Sequence, residues 1–170
     1  MRNIILILIL LGGLRVYSQE TNSVSDHFII EGRIANKTGF DFTNVKDFNL
    51  VMVDSFVIYN HMHEKKRTVK NIRGILLTDI LRNAGIDEAN PKLLSEFYYT
   101  CIAKDGYKVV FSWNEIFNTE IGSQILIITE ADGKKGASMP DRIVLLSAKD
   151  IATGRRYVKG LEKIIVDRVK

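Results

Sequence analysis

Beyond residue 18 the hydrophobic residues of this chain come in short runs rich in Val, Ile, Phe and Tyr, each closed by turn-forming residues. Short β-rich runs without long apolar helical stretches restrict the fold to one dominated by sheet. Residues 97–103 and 107–111 flank Lys104-Asp105-Gly106, and Asp-Gly between two such runs is a strong hairpin signal. Further strands are expected at 28–35, 50–59, 125–129, 143–146 and 163–169, giving about seven in all. Helical spacing is clearest at 75–84, where Leu76, Leu77, Ile80, Leu81 and Ala84 share a face and Gly85 follows to end it. Thr43 starts one helical turn, Asn90-Pro91 opens a short helix through Glu96, and Ser112-Trp113-Asn114-Glu115 has the form of a capping box. Strands and helices do not alternate regularly, so a doubly wound parallel sheet is not expected. The expected class is α/β (α+β), with mixed β-sheets and short helices.

The start of the chain reads differently. Met1-Arg2-Asn3 is a short basic opening, residues 4–14 are apolar apart from Gly12 and Gly13, and Val16-Tyr17-Ser18 offers compact residues before Gln19. The apolar run is too short to span ~30 Å of hydrocarbon. The expectation is a cleavable signal peptide over 1–18 and one domain over 19–170, exported to the periplasm or secreted, with no membrane anchor after cleavage. No Cys follows the run to carry a lipid, and no arginine pair precedes it, so export through the twin-arginine route is not indicated. Cleavage would remove Arg2 and Arg15 and bring the formal net charge from +4 to +2. So small a charge provides little long-range attraction for nucleic acid or acidic lipid. The single Cys, Cys101, excludes an intrachain disulfide, so stability must come from an apolar core.

Two cationic segments carry the chemistry. Residues 60–71 are polar and basic, as an exposed loop or the solvent end of a hairpin would be, and hold Asn60, His61, His63, Lys65, Lys66, Arg67 and Lys70. In an extended segment His61 and His63 would point the same way and could grip one metal ion, with no third ligand visible. Alternatively they are two histidines of a solvated loop. Lys65-Lys66-Arg67 can hold a phosphate or carboxylate, or can simply keep the loop soluble. Arg155-Arg156-Tyr157-Val158-Lys159 is the second segment, and Tyr157 and Val158 suggest that it lies against the fold. Cys101 falls in an apolar strand pattern and reads as a buried hydrophobe. No Gly-rich phosphate loop, G-x-S-x-G elbow or H-E-x-x-H is present.

In order, these segments resemble a known family. Ile30-Glu31-Gly32-Arg33-Ile34 with Phe42-Thr43-Asn44-Val45-Lys46, Ile72-Arg73-Gly74-Ile75-Leu76-Leu77-Thr78-Asp79-Ile80-Leu81, Lys104-Asp105-Gly106-Tyr107 with Phe111-Ser112, and Arg156-Tyr157-Val158-Lys159-Gly160-Leu161 with Ile164-Ile165-Val166 carry the likeness. Together they resemble the molybdopterin-binding oxidoreductase domain of the sulfite oxidase family, in a reduced single-domain form. The resemblance implies that fold, a molybdopterin cofactor, and contact of Arg156 and Lys159 with the pterin or its phosphate. Catalytic members of that family hold molybdenum through a Cys shortly after the second strand. The matching stretch here, Val53-Asp54-Ser55-Phe56-Val57-Ile58-Tyr59-Asn60, has none, and Cys101 lies in a later strand. Gly160 stands where the family has Trp. Enzymes of this kind also cross the membrane folded, with the cofactor in place, whereas this leader suits unfolded export.

The expectation is therefore a non-catalytic binding module for a small anionic ligand, a pterin-like molecule or a redox partner's cofactor. Asn60, His61, His63 and Arg67 would hold it from one segment and Arg155, Arg156, Tyr157 and Lys159 from the other, with close approach at Gly154. The alternatives are a molybdopterin-dependent oxidoreductase and a metal-binding protein using His61 and His63. Nucleic acid is not an expected partner.

Overall fold

The computed structural model describes residues 24–170, so the signal peptide expected at 1–18 lies outside the described residues. Strands β1 (His27–Gly32), β2 (Thr38–Asp41), β3 (Leu50–Tyr59) and β4 (Lys65–Leu76) lead into helix α1 (Leu77–Ala84). Strands β5 (Phe97–Ala103) and β6 (Lys108–Ser112) form the hairpin around Asp105-Gly106, and α2 (Trp113–Phe117) follows. The chain closes with β7 (Ile125–Ala131), β8 (Lys134–Lys135), β9 (Val144–Ser147), β10 (Tyr157–Lys159) and β11 (Leu161–Arg168).

The strands make two sheets. One has the order β2-β1-β11-β5-β6, in which only β1 and β11 run parallel. The other, β10-β9-β7-β4-β3 with β8 on β7, is antiparallel throughout. Phe28, Ile30 and Cys101 from the first sheet meet Ile127 and Leu145 from the second, with Leu77, Ile80, Leu81 and Ala84 of α1, in the main core. The intervening residues of β7 and β9, Ile128, Val144 and Leu146, face the other way and join Phe56, Ile58, Val69 and Ile72 in a second cluster. In a flat sheet β9 and β3, three positions apart, would lie about 14 Å from each other. The sheet is instead curled: residues 153–156, which lead into β10 at one edge, bond through Thr153 to β3 at the other.

Two readings of the sequence need adjustment. Of the two alternatives for residues 60–71 the solvent end of a hairpin is the one formed, and it is mostly strand: β4 begins at Lys65 and pairs with β3 along its length, leaving only 60–64 as the tip. Here pairing with β3 decides the conformation of a segment whose charged side chains face solvent. Helix α1 starts at Leu77, because Ile75 and Leu76 stay in β4 and pair with Ile127 and Leu126 of β7. Eleven strands are present among the described residues. The additional ones include β2, β8 and β10, whose lengths of 4, 2 and 3 residues are too short for a periodic signal. The capping box at Ser112 and Glu115 is present, and Gly85, at φ 63°, ends α1 by donating its N–H to Leu81 O.

Candidate anion-binding site

The tip of the β3–β4 hairpin and the segment before β10 come together although about ninety residues separate them. Thr153, buried, donates its hydroxyl to Val57 O (2.8 Å) and accepts the N–H of Tyr59 (2.9 Å), so one side chain serves the free edge of β3 as a strand would. Beside it Gly154 lies so near that a Cβ there would sit 2.4 Å from Tyr59 O. The close approach expected at Gly154 is therefore made by the protein's own backbone. Asn60 organises the tip: its Oδ1 accepts from the N–H groups of Met62 (3.0 Å) and Glu64 (2.9 Å), and its Nδ2 donates to Glu64 Oε2 (2.8 Å).

Between the two segments lies an open depression of about 630 Å³ with Ile58 in its lining. Asn60, His61, Arg155, Tyr157 and Lys159, five of the residues expected at the site, line it together with Tyr59, Lys66 and Tyr107. Among the described residues Lys66 pairs only with exposed Glu64, at 3.5 Å, and Lys159 with Asp141 at 3.2 Å. Arg155, exposed, makes no ion pair among the described residues. Tyr107 closes one side by donating its hydroxyl to Arg155 O (2.5 Å). The net effect is a concave surface with an excess of cations and aromatic walls, suited to an anion carried on a flat or apolar body.

Three of the expected residues stand elsewhere. Arg67 lines an adjoining cavity, donating from Nη2 to Tyr157 Oη (2.9 Å), with its guanidinium 5.8 Å from the Tyr157 ring centroid. His63 sits in the tip at φ 58°, outside the depression. Since 60–64 is a turn, the extended geometry that would aim His61 and His63 at one ion is not formed. Among the described residues no group of three or more His, Cys, Asp or Glu could hold a metal ion. Arg156 turns away from the depression. Its Nε and Nη2 hold Asp150 at 2.6 Å each, its Nη1 holds Glu115 at 2.8 Å, and the guanidinium stacks 4.3 Å from the Phe111 ring centroid. The Asp150 hydrogen bonds lead in raising its pKa further. Arg155 and Arg156 thus divide, one exposed beside the depression and one committed to the fold.

Tyr107 carries no site signal in the sequence, and Lys66 enters only as part of the Lys65-Lys66-Arg67 run. The lining role of Tyr107 depends on a hydroxyl contact that only the fold creates.

Cys101 is fully buried in the main core, and burial pushes its thiol up to about 12, against a smaller lowering by Arg156. At about pH 8 the native protein should therefore resist a thiol-specific reagent and gain one reactive thiol on unfolding. Rapid labelling of folded protein, followed by mass spectrometry, would contradict this placement.

Comparison with solved structures adds one finding. The fold is related to that of a sulfane dehydrogenase. One match, to SoxCD from Paracoccus pantotrophus, has a TM-score of 0.55 at 12% identity and covers 82% of this chain. The chain spans 37% of that protein's length, and the likeness concerns the fold alone. No family model and no curated protein matches the sequence.

Proposed function

We propose that this chain is a binding module built on an oxidoreductase-type scaffold, holding a small anion or an anionic pterin-like molecule in the depression between the β3–β4 tip and residues 154–159. The observation that carries this reading is the convergence of Lys66, Arg155 and Lys159 on one aromatic-walled concavity, with Arg155 outside every ion pair among the described residues. The sequence resemblance to the sulfite oxidase cofactor domain and the fold shared with a dehydrogenase support the same class of scaffold.

A metal held through a protein thiolate does not fit the residues present. Cys101, the one Cys of the chain, is sealed in the core, protonated at neutral pH, and absent from the lining of the depression. The pterin portion of such a cofactor fits better: its phosphate suits Arg155 and Lys159, and its ring suits the tyrosine walls. A redox protein presenting its own cofactor is the corresponding macromolecular partner. We place the mature protein outside the cytoplasm on the character of residues 1–18. A mature mass beginning at Gln19 would support that, and an uncleaved chain in the cytoplasm would refute it.

The test is calorimetric titration with inorganic phosphate, pyrophosphate and pterin-6-carboxylate. Wild type should bind at least one of them saturably and lose affinity as salt rises. Arg155→Gln with Lys159→Gln should weaken binding by about tenfold or more, equivalent to ~1.4 kcal/mol. Both side chains are more than half exposed or at the surface, so the melting temperature should hardly move. Equal affinity in the double variant would remove the site from consideration.

A further inference from the structure

We propose that the cavity on the other side of Tyr157 is a separate binding site for a small zwitterion with an apolar side chain, such as a free aliphatic α-amino acid. The cavity holds about 240 Å³, below the ~300–1,000 Å³ range of drug-sized ligand pockets, which suits a molecule of few heavy atoms. Its floor is Ile128, Met139 and Val144, all members of the second hydrophobic cluster, so an aliphatic group entering it meets an apolar surface continuous with the core.

The rim is charged in both signs. Arg67 and Lys134 supply two cations and Asp132 and Asp141 two carboxylates. Asp141 is engaged by Lys159 at 3.2 Å on one oxygen and by Arg67 at 3.6 Å on the other, while Arg67, Lys134 and Asp132 keep capacity for a ligand. Arg67 uses Nη2 on Tyr157, and its other donors make no hydrogen bond among the described residues. Its approach to Asp141, at 3.6 Å, is an ion pair without a hydrogen bond. Lys134 makes no ion pair among the described residues. Asp132 accepts Lys70 N–H at Oδ1 (2.8 Å), and its Oδ2 has no hydrogen bond among the described residues. It stands at φ 50° before Gly133, in the β7–β8 turn that carries it to the rim. Burial leads in raising the pKa of Tyr157, so the phenol stays neutral; having accepted Arg67, it still has a proton to donate.

Charge balance selects the ligand class. A net anion would face the open carboxylate oxygen of Asp132, and a net cation would face Arg67 and Lys134. A molecule carrying both charges satisfies all three while its side chain covers the floor. The neighbouring depression, where cations predominate, lacks this balance.

Heteronuclear NMR titration of the folded full chain with leucine, valine and methionine tests the proposal. At least one should shift resonances around the cavity saturably below about 10 mM. Taking the best of the three as reference, the acid lacking its ammonium, the amine lacking its carboxylate, and glycine should each bind at least about tenfold more weakly. Arg67→Gln and Asp132→Asn should each weaken the amino acid, whereas Arg155→Gln should leave it unchanged while weakening anions in the depression. No saturation by any of the three amino acids would overturn the site. So would equal binding of the ammonium-free acid, or loss of binding in Arg155→Gln.

Discussion

Replacement of Arg156 by alanine is expected to cost about 3 kcal/mol of folding stability and to lower the melting temperature by roughly 10 °C. The guanidinium joins two parts of the chain, Glu115 in the capping box of α2 and Asp150 in the loop before β10, that are otherwise linked only by the longer, exposed Lys149–Glu120 pair at 3.9 Å among the described residues. Asp150 Oδ1 also accepts the hydroxyl of Ser147, which is fully buried, so the disturbance reaches β9. Loss of the cation would leave two partly buried carboxylates without their counter-ion and bare the face of Phe111. Arg156→Lys should recover only part of the loss, because one ammonium cannot reproduce the double contact with Asp150 and also reach Glu115.

The pH dependence separates charge from packing. Burial alone would raise the pKa of Glu115, but hydrogen bonds from Ser112 N–H and from Arg156 outweigh it and hold the carboxyl below its ordinary value. A depressed folded pKa stabilises above the unfolded value of ~4.3 and stops doing so as pH falls through the folded one. The gap in melting temperature between wild type and Arg156→Ala should thus be widest near neutral pH and narrow below about pH 4. A constant gap across that range would assign the loss to the Phe111 stack.

What the sequence revealed and what it concealed follow one physical division. Local chemistry was readable: the Asp105-Gly106 hairpin, the Ser112–Glu115 box and the stop at Gly85 each depend on residues a few positions apart. Strand β3 was readable because its own residues are β-branched and aromatic. The first half of β4 was not, since Lys65, Lys66, Arg67 and Lys70 all face solvent and only pairing with β3 makes them a strand. At the site, composition located both cationic segments but could not divide adjacent Arg155 and Arg156, whose side chains serve opposite purposes. The role of Asn60 had a local signal, since Asn favours turns bonded through its own side chain; its amide oxygen is taken up twice in building the tip.

Gly154→Val is expected to destabilise the protein by about 2–3 kcal/mol and to abolish anion binding in the depression. The Cβ would meet Tyr59 O at 2.4 Å and the Ile58 side chain at 3.4 Å, and a backbone oxygen cannot rotate away as a side chain can. The 153–156 segment must therefore lift from β3, breaking both Thr153 hydroxyl bonds and moving Arg155 relative to Lys66. Thr153→Val is the control: it removes the same two hydrogen bonds with little change of shape, so it should cost about 1–2 kcal/mol and leave the depression formed. If binding fails in Gly154→Val but survives in Thr153→Val, the spacing of the two cationic segments is what the ligand reads. Equal loss in both would mean that the hydroxyl clamp, and not the missing Cβ, sets that spacing. Retention of wild-type affinity in Gly154→Val would place the anion elsewhere, because no displacement of Arg155 by a valine side chain could leave a shared contact with Lys66 and Lys159 unaltered.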